Sequence, residues 1–171
     1  ITHASTSARD RASSLVDAGC LLEDQLDDPA GALAAFERAL VADPRCLSAS
    51  LMRERALLAQ NHRSEASVLL ARRAAYTLDP KLRAALAQEA ARDLASDGDI
   101  DAAVEALLTA LALPGRQLST LTCLAELALR YGRPRVAARA HEDLGALLAG
   151  YAAGAAQEPV LAGPAGSDAL E

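Results

Sequence analysis

Aromatic residues are almost missing from this chain: one Phe, three Tyr and no Trp among 171 residues. Phe36, Tyr76, Tyr131 and Tyr151 are too few to form a platform on which nucleic-acid bases could stack. An excess of positive charge is missing too, since 17 Lys and Arg stand against 23 Asp and Glu, a net charge of −6. Binding phosphate backbones needs a basic face, so no nucleic-acid partner is expected. No run of about 18 apolar residues occurs, so no membrane insertion is expected. Cysteines number three, at positions 20, 46 and 123, with no CxxC. An odd, scattered set fits neither a disulfide framework nor a zinc site, and points to buried free thiols in a reducing, cytoplasmic setting.

Signatures of chemistry are equally scarce. There is no GxSxG elbow, no glycine-rich phosphate loop and no HExxH, so the chain is expected to be no enzyme and to need no cofactor. His3 falls in a polar lead, His62 in a turn, and His141 beside Glu142 and Asp143 on a helix. Neighbours in sequence do not face each other on a helix. His141 has no second ligand three or four positions away, so no metal site is expected. The DGDID stretch lacks the length and final Glu of a calcium loop. Asp27, Asp28, Asp97, Asp99 and Asp101 precede or open helices, where carboxylates cap orphan N–H groups.

What is present is alanine, about a quarter of the chain. Ala loses no side-chain entropy in a helix and buries no polar group, so an all-α protein with closely approaching helices is expected. Helix stops recur. Asp43-Pro44 returns as Asp79-Pro80 36 residues on, and Pro114 follows after 34 more. Pro disfavours helical geometry in the residue before it, so each marks a helix end. The stretch ALAAFERALVADP (32–44) is matched by AVEALLTALALP (103–114), pairing Ala32 with Ala103, Phe36 with Leu107, Ala39 with Ala110 and Leu40 with Leu111. Ala137, His141 and Leu144 take the corresponding places in a fourth copy. In the second copy a turn at Asn61 places Ala66 and Leu70 on the stripe, and a turn two residues later places Val68 and Ala75 there. A period near 35 implies stacked repeats of two helices each. The helices expected are 10–25, 29–42, 46–60, 64–77, 81–96, 99–112, 117–131 and 134–149, with room for the last to run on to about Gln157. Short connections make consecutive helices antiparallel.

This pattern resembles the tetratricopeptide repeat: small residues where two helices cross, a large apolar residue four positions later, then Ala-Leu and Pro in the turn. Residues 32–44 carry all of it. In the first repeat Leu15, Ala18, Gly19 and Leu22 fill the first-helix places if one residue is inserted in the turn EDQLDDPAG. The resemblance implies an α-solenoid of about four antiparallel hairpins in a right-handed superhelix, spanning 12–44, 45–80, 81–116 and 117–149. A polar lead occupies 1–11 and an Ala/Gly/Pro-rich tail 150–171, expected to be flexible. The start at Ile1 and the closing Leu170-Glu171 suggest a fragment of a larger, bacterial-type array protein.

In that family the first helices line a concave face that receives a protein or peptide. The residues this implies here are Glu23, Arg55, Gln88, Arg92, Thr122, Glu126 and Arg130. Arg92 and Arg130 are the strongest candidates, because a guanidinium can hold a partner carboxylate with two bonds. The Lys/Asn set that clamps a C-terminal carboxylate in some members is not recognisable. A non-catalytic interaction scaffold is therefore expected. The alternatives are a structural spacer within a larger protein and a module that self-associates through exposed end repeats.

Overall fold

A computed structural model of the chain describes residues 2–114 and 117–152, with the side chains of residues 2–6, 117 and 152 left aside. Eight helices account for these residues: α1 (Thr2–Asp24), α2 (Pro29–Ala42), α3 (Leu47–Ala59), α4 (Arg63–Tyr76), α5 (Pro80–Ser96), α6 (Ile100–Leu111), α7 (Gln117–Arg130) and α8 (Pro134–Ala152). No strand occurs among the described residues. The all-α expectation holds, with most ends within one residue of those expected. The exceptions are α1, helical from Thr2 rather than 10, and α8, which runs to Ala152. Most of the expected flexible tail lies outside the described residues.

Local chemistry accounts for the boundaries. Pro29 and Pro80 open α2 and α5, where a missing N–H costs nothing. The Asp28, Asp79 and Asp99 carboxylates cap α2, α5 and α6, accepting from the backbone N–H of Gly31, Lys81 and Ala102. Asp27 is not a cap as expected; it is the left-handed turn residue, at φ +48°. Asn61, Gly98 and Gly132 hold the same conformation at the three later hairpin turns. There each helix closes alike: His62, Asp99 and Arg133 donate to the carbonyls of Leu57, Leu94 and Ala128, five residues back. That is the Schellman closure, which satisfies carbonyls the helix leaves open. In the first hairpin Asp28 donates to Leu22, six residues back, so this turn does hold one extra residue.

The chain forms two compact units, 1–69 and 70–171, and the boundary falls inside α4. In the first unit α1 packs on α2, α2 on α3, and α1 also touches α3. Its core gathers Ala12, Val16, Ala32, Phe36, Ala39, Leu40, Ala49, Ala56, Leu57, Ala66 and Leu69. Phe36 is fully buried, and a Cβ added to Gly19 would fall 2.4 Å from its Cε1. Only a glycine lets α1 approach the ring this closely. Ala18, expected in the small-residue place beside Gly19, is exposed; Ala12 and Val16 face inward instead.

In the second unit α5 packs on α6, α6 on α7, α7 on α8, and α5 also touches α7. The stripe Ala103, Leu107, Ala110 and Leu111 is buried as expected. Ala66 and Leu70 are buried while Val68 is exposed, so the second copy takes the register with its turn at Asn61. His141 leaves the stripe and turns its Nδ1 to the Ala137 carbonyl of its own helix, 2.7 Å away. The three thiols are free and half-buried rather than fully buried.

Candidate functional site

The hairpin turns align the first helices residue for residue. Taking the carbonyl that closes each turn as the reference, Leu51, Gln88 and Thr122 occupy one equivalent place on α3, α5 and α7. Arg55, Arg92 and Glu126 occupy the next place on the same face, one turn further along. Five of the seven residues expected to meet a partner therefore stand at two recurring positions.

In the first unit the structure brings Glu23 and Arg55 together. Arg55 Nη2 donates to Glu23 Oε2 at 2.6 Å, from α3 to α1. The hydrogen bond from Arg55 to Glu23, and next that carboxylate's charge, hold the guanidinium pKa above its ordinary value. Slight desolvation opposes this, and Asp24 and Cys20 add to the rise. Arg55 remains exposed, as do Leu51 and Leu58 on the same stripe of α3.

In the second unit Gln88 Nε2 on α5 donates to Ser119 Oγ on α7 at 3.2 Å. Arg92 Nη2 reaches Gln88 Oε1 at 3.4 Å. This leaves four of the five guanidinium N–H groups for other acceptors. Thr122 gives its hydroxyl proton to the Leu118 carbonyl at 2.9 Å, so it offers a partner only lone pairs. Half-buried Cys123 stands on α7, near enough to Arg92 and Glu126 to feel both charges. Burial pushes its thiol pKa up, the Arg92 charge pulls it down, and the Glu126 charge raises it again. Glu126 and Arg130 are exposed. Chemically, the face presents two cations, a carboxylate and a hydroxyl acceptor, flanked by the exposed apolar side chains Leu118 and Leu129.

The two lateral bonds share a stagger. The equivalent of Glu23 on α3 is Leu58, and Glu23 bonds Arg55, three residues earlier. The equivalent of Gln88 on α7 is Thr122, and Gln88 bonds Ser119, again three residues earlier. Three residues are about 4.5 Å along a helix. Within the first unit α1 thus meets α3 almost one turn upstream, and within the second α5 meets α7 in the same way.

Several participants were not expected from sequence. Ser119 carries the α5–α7 bond, and a lone Ser gives no signal for that. Leu118 and Leu129 were legible in principle, because they share the i, i+4, i+11 stripe of Thr122. Arg83 is buried: its Nη1 bonds the Thr77 carbonyl at 3.3 Å, and its Nη2 bonds the Pro114 carbonyl, so one side chain ties together the turns after α4 and α6. Asp101, expected as a cap, pairs from the first turn of α6 with Arg133 in the turn before α8, linking two successive hairpins.

Among the described residues no group of three or more His, Cys, Asp or Glu is placed to hold a metal ion, and no helix is long and apolar enough to cross a membrane. The chain matches no protein-family model, no curated protein and no solved structure.

Proposed function

We propose that the chain is a tetratricopeptide-like array of four hairpins that serves as a non-catalytic scaffold. Its first helices together form the concave face of a right-handed solenoid, and a peptide, helix or neighbouring domain docks there. The observation that carries this reading is the shared stagger of the Glu23–Arg55 and Gln88–Ser119 bonds. A constant offset from one first helix to the next is what a regular superhelical stack requires. Free thiols fit a reducing cytoplasm.

The charges on the second unit's face favour a partner with a carboxylate for Arg92 and Arg130, and apolar side chains for Leu118 and Leu129. Arg→Glu changes at positions 92 and 130 test this in a pull-down from source-cell extract, with circular dichroism confirming that the variants stay helical. Loss of a specific partner supports docking at this face. Retention of every partner by the double variant overturns it and leaves the spacer reading. A second reading, self-association, draws on Leu148 and Tyr151, both exposed on α8. Light scattering across a concentration series decides it, since a constant mass rules it out.

A further inference from the structure

The α2–α3 seam in the first unit differs chemically from its counterparts. Equivalence through the hairpin turns matches Glu37 on α2 with Ala71 and Leu108, Ser50 on α3 with Ala87 and Leu121, and Arg53 with Ala90 and Leu124. In the second unit all six of those residues belong to, or pack against, the apolar core. The first unit puts a carboxylate, a hydroxyl and a guanidinium in the same three places.

These groups are only partly satisfied by one another. Arg53 Nη1 lies 2.9 Å from Glu37 Oε2, an ion pair. Yet Glu37 Oε2, Ser50 Oγ and Arg53 Nε are all buried, and none has a hydrogen-bond partner with proper geometry among the described residues. Ser50 is only 6% exposed. Five other hydroxyls behave differently: Ser14, Ser67, Thr77, Ser96 and Thr122 each give their proton to a carbonyl three or four residues back. A buried polar atom without a partner costs far more than a satisfied one, so native proteins rarely leave three on one helix seam.

We propose that this seam is a binding site for one internal water molecule. The donor and acceptor inventory is complete for it. Arg53 Nε–H donates to the water, the water donates to Glu37 Oε2, and Ser50 Oγ takes the third bond as donor or acceptor. Three protein partners is the usual number for a buried water. Arg53 Nε sits on the same guanidinium as the Nη1 that already meets Glu37, so a single water spans the two. Ser50 lies one turn before Arg53 on the same face of α3. An apolar or ionic occupant does not fit, because the site offers both a donor and an acceptor and its charges already pair.

The test counts long-lived waters by oxygen-17 relaxation in the intact chain, its Ser50→Ala variant and the triple variant Glu37→Leu/Ser50→Ala/Arg53→Leu, alongside a crystal structure that resolves ordered solvent. The expected results are a solvent peak within hydrogen-bond distance of at least two of the three atoms, one long-lived water fewer in the triple variant, and faster exchange at that site in Ser50→Ala. If the triple variant does not fold, the Ser50→Ala comparison and the solvent peak decide. An equal water count and unchanged exchange in all folded variants overturns the proposal, as does a crystal structure in which Ser50 Oγ bonds the Cys46 carbonyl and no solvent touches the seam.

Discussion

Substituting Ala for Gly19 tests the packing of the first hairpin through the sign of its effect. In a helix interior Ala is favoured over Gly by about 1 kcal/mol, so on propensity alone the change stabilises. The structure opposes that gain. The new Cβ would lie 2.4, 2.8 and 2.9 Å from Cε1, Cδ1 and Cζ of Phe36. Ordinary contact begins near 3.4 Å, so the ring or the helix must yield by about 1 Å. Phe36 is fully buried in a core that includes Ala12, Val16 and Leu40, and over-packing of this kind costs about 1–3 kcal/mol. Gly19→Ala should therefore destabilise the wild-type chain by up to about 2 kcal/mol. Phe36→Leu removes the ring edge that the methyl would strike. In that background Gly19→Ala should stabilise by roughly 0.5–1 kcal/mol, its propensity alone. Urea titrations of the four chains, followed by circular dichroism at matched slopes, give the coupling directly. If Gly19→Ala stabilises both backgrounds equally, Gly19 is not pressed against Phe36 and the close crossing of α1 and α2 is wrong.

Three further outcomes are expected. Arg83→Leu should lower stability by about 1–3 kcal/mol, because two carbonyls in separate turns lose their shared donor; Arg83→Lys should restore it only in part, since the ammonium is one point charge without the planar, spaced donors that reach the two carbonyls, and a wild-type urea midpoint for the Lys variant would refute this clamp. Arg55→Ala should cost under about 1 kcal/mol, as Arg55 is 57% exposed and its bond to Glu23 competes with water and salt; a loss that persists unchanged in high salt would contradict a surface pair. Cys123 should alkylate with iodoacetamide along a pH profile displaced upward from a free thiol, because burial disfavours its thiolate. Arg92→Glu should slow that reaction at fixed pH and Glu126→Gln should speed it, since the first removes a charge that lowers the thiol pKa and the second removes one that raises it. Identical rates in both variants would separate Cys123 from these side chains.

Much of the fold was legible because punctuation in a helical protein is local. Asp-Pro pairs, Gly98 and Gly132 act through their own φ and their own missing N–H groups, and six of the eight helices lie within a residue of their expected bounds. The Asn61 turn was harder: a left-handed Asn is permitted but not demanded, and only the burial of Ala66 and Leu70 settled it. The polar lead concealed the start of α1, since Ala12 is the only apolar residue among positions 9–14 and its complete burial depends on the rest of the unit. Lateral bonds were not legible at all. Glu23 and Arg55 were both expected on a partner-facing surface, but nothing in sequence says that the two satisfy each other.

That pairing changes how the candidate face should be weighed. Glu23 and Arg55 neutralise each other, so a ligand that used Arg55 would have to replace a charge-assisted bond of 2.6 Å. Among the described residues Arg92 meets the neutral amide of Gln88, at 3.4 Å, and it stands at the position equivalent to Arg55. Displacing a long bond to a neutral acceptor costs less than displacing a short one to a carboxylate. An acidic partner therefore gains more at Arg92 than at Arg55, although sequence made the two look alike. Glu126 completes the contrast: it takes the same place on α7 with opposite charge, so under the proposed docking a partner crossing from α5 to α7 would meet a cation and then an anion. Specificity of that kind comes from rejecting chains with the reverse order, because like charges placed face to face are penalised.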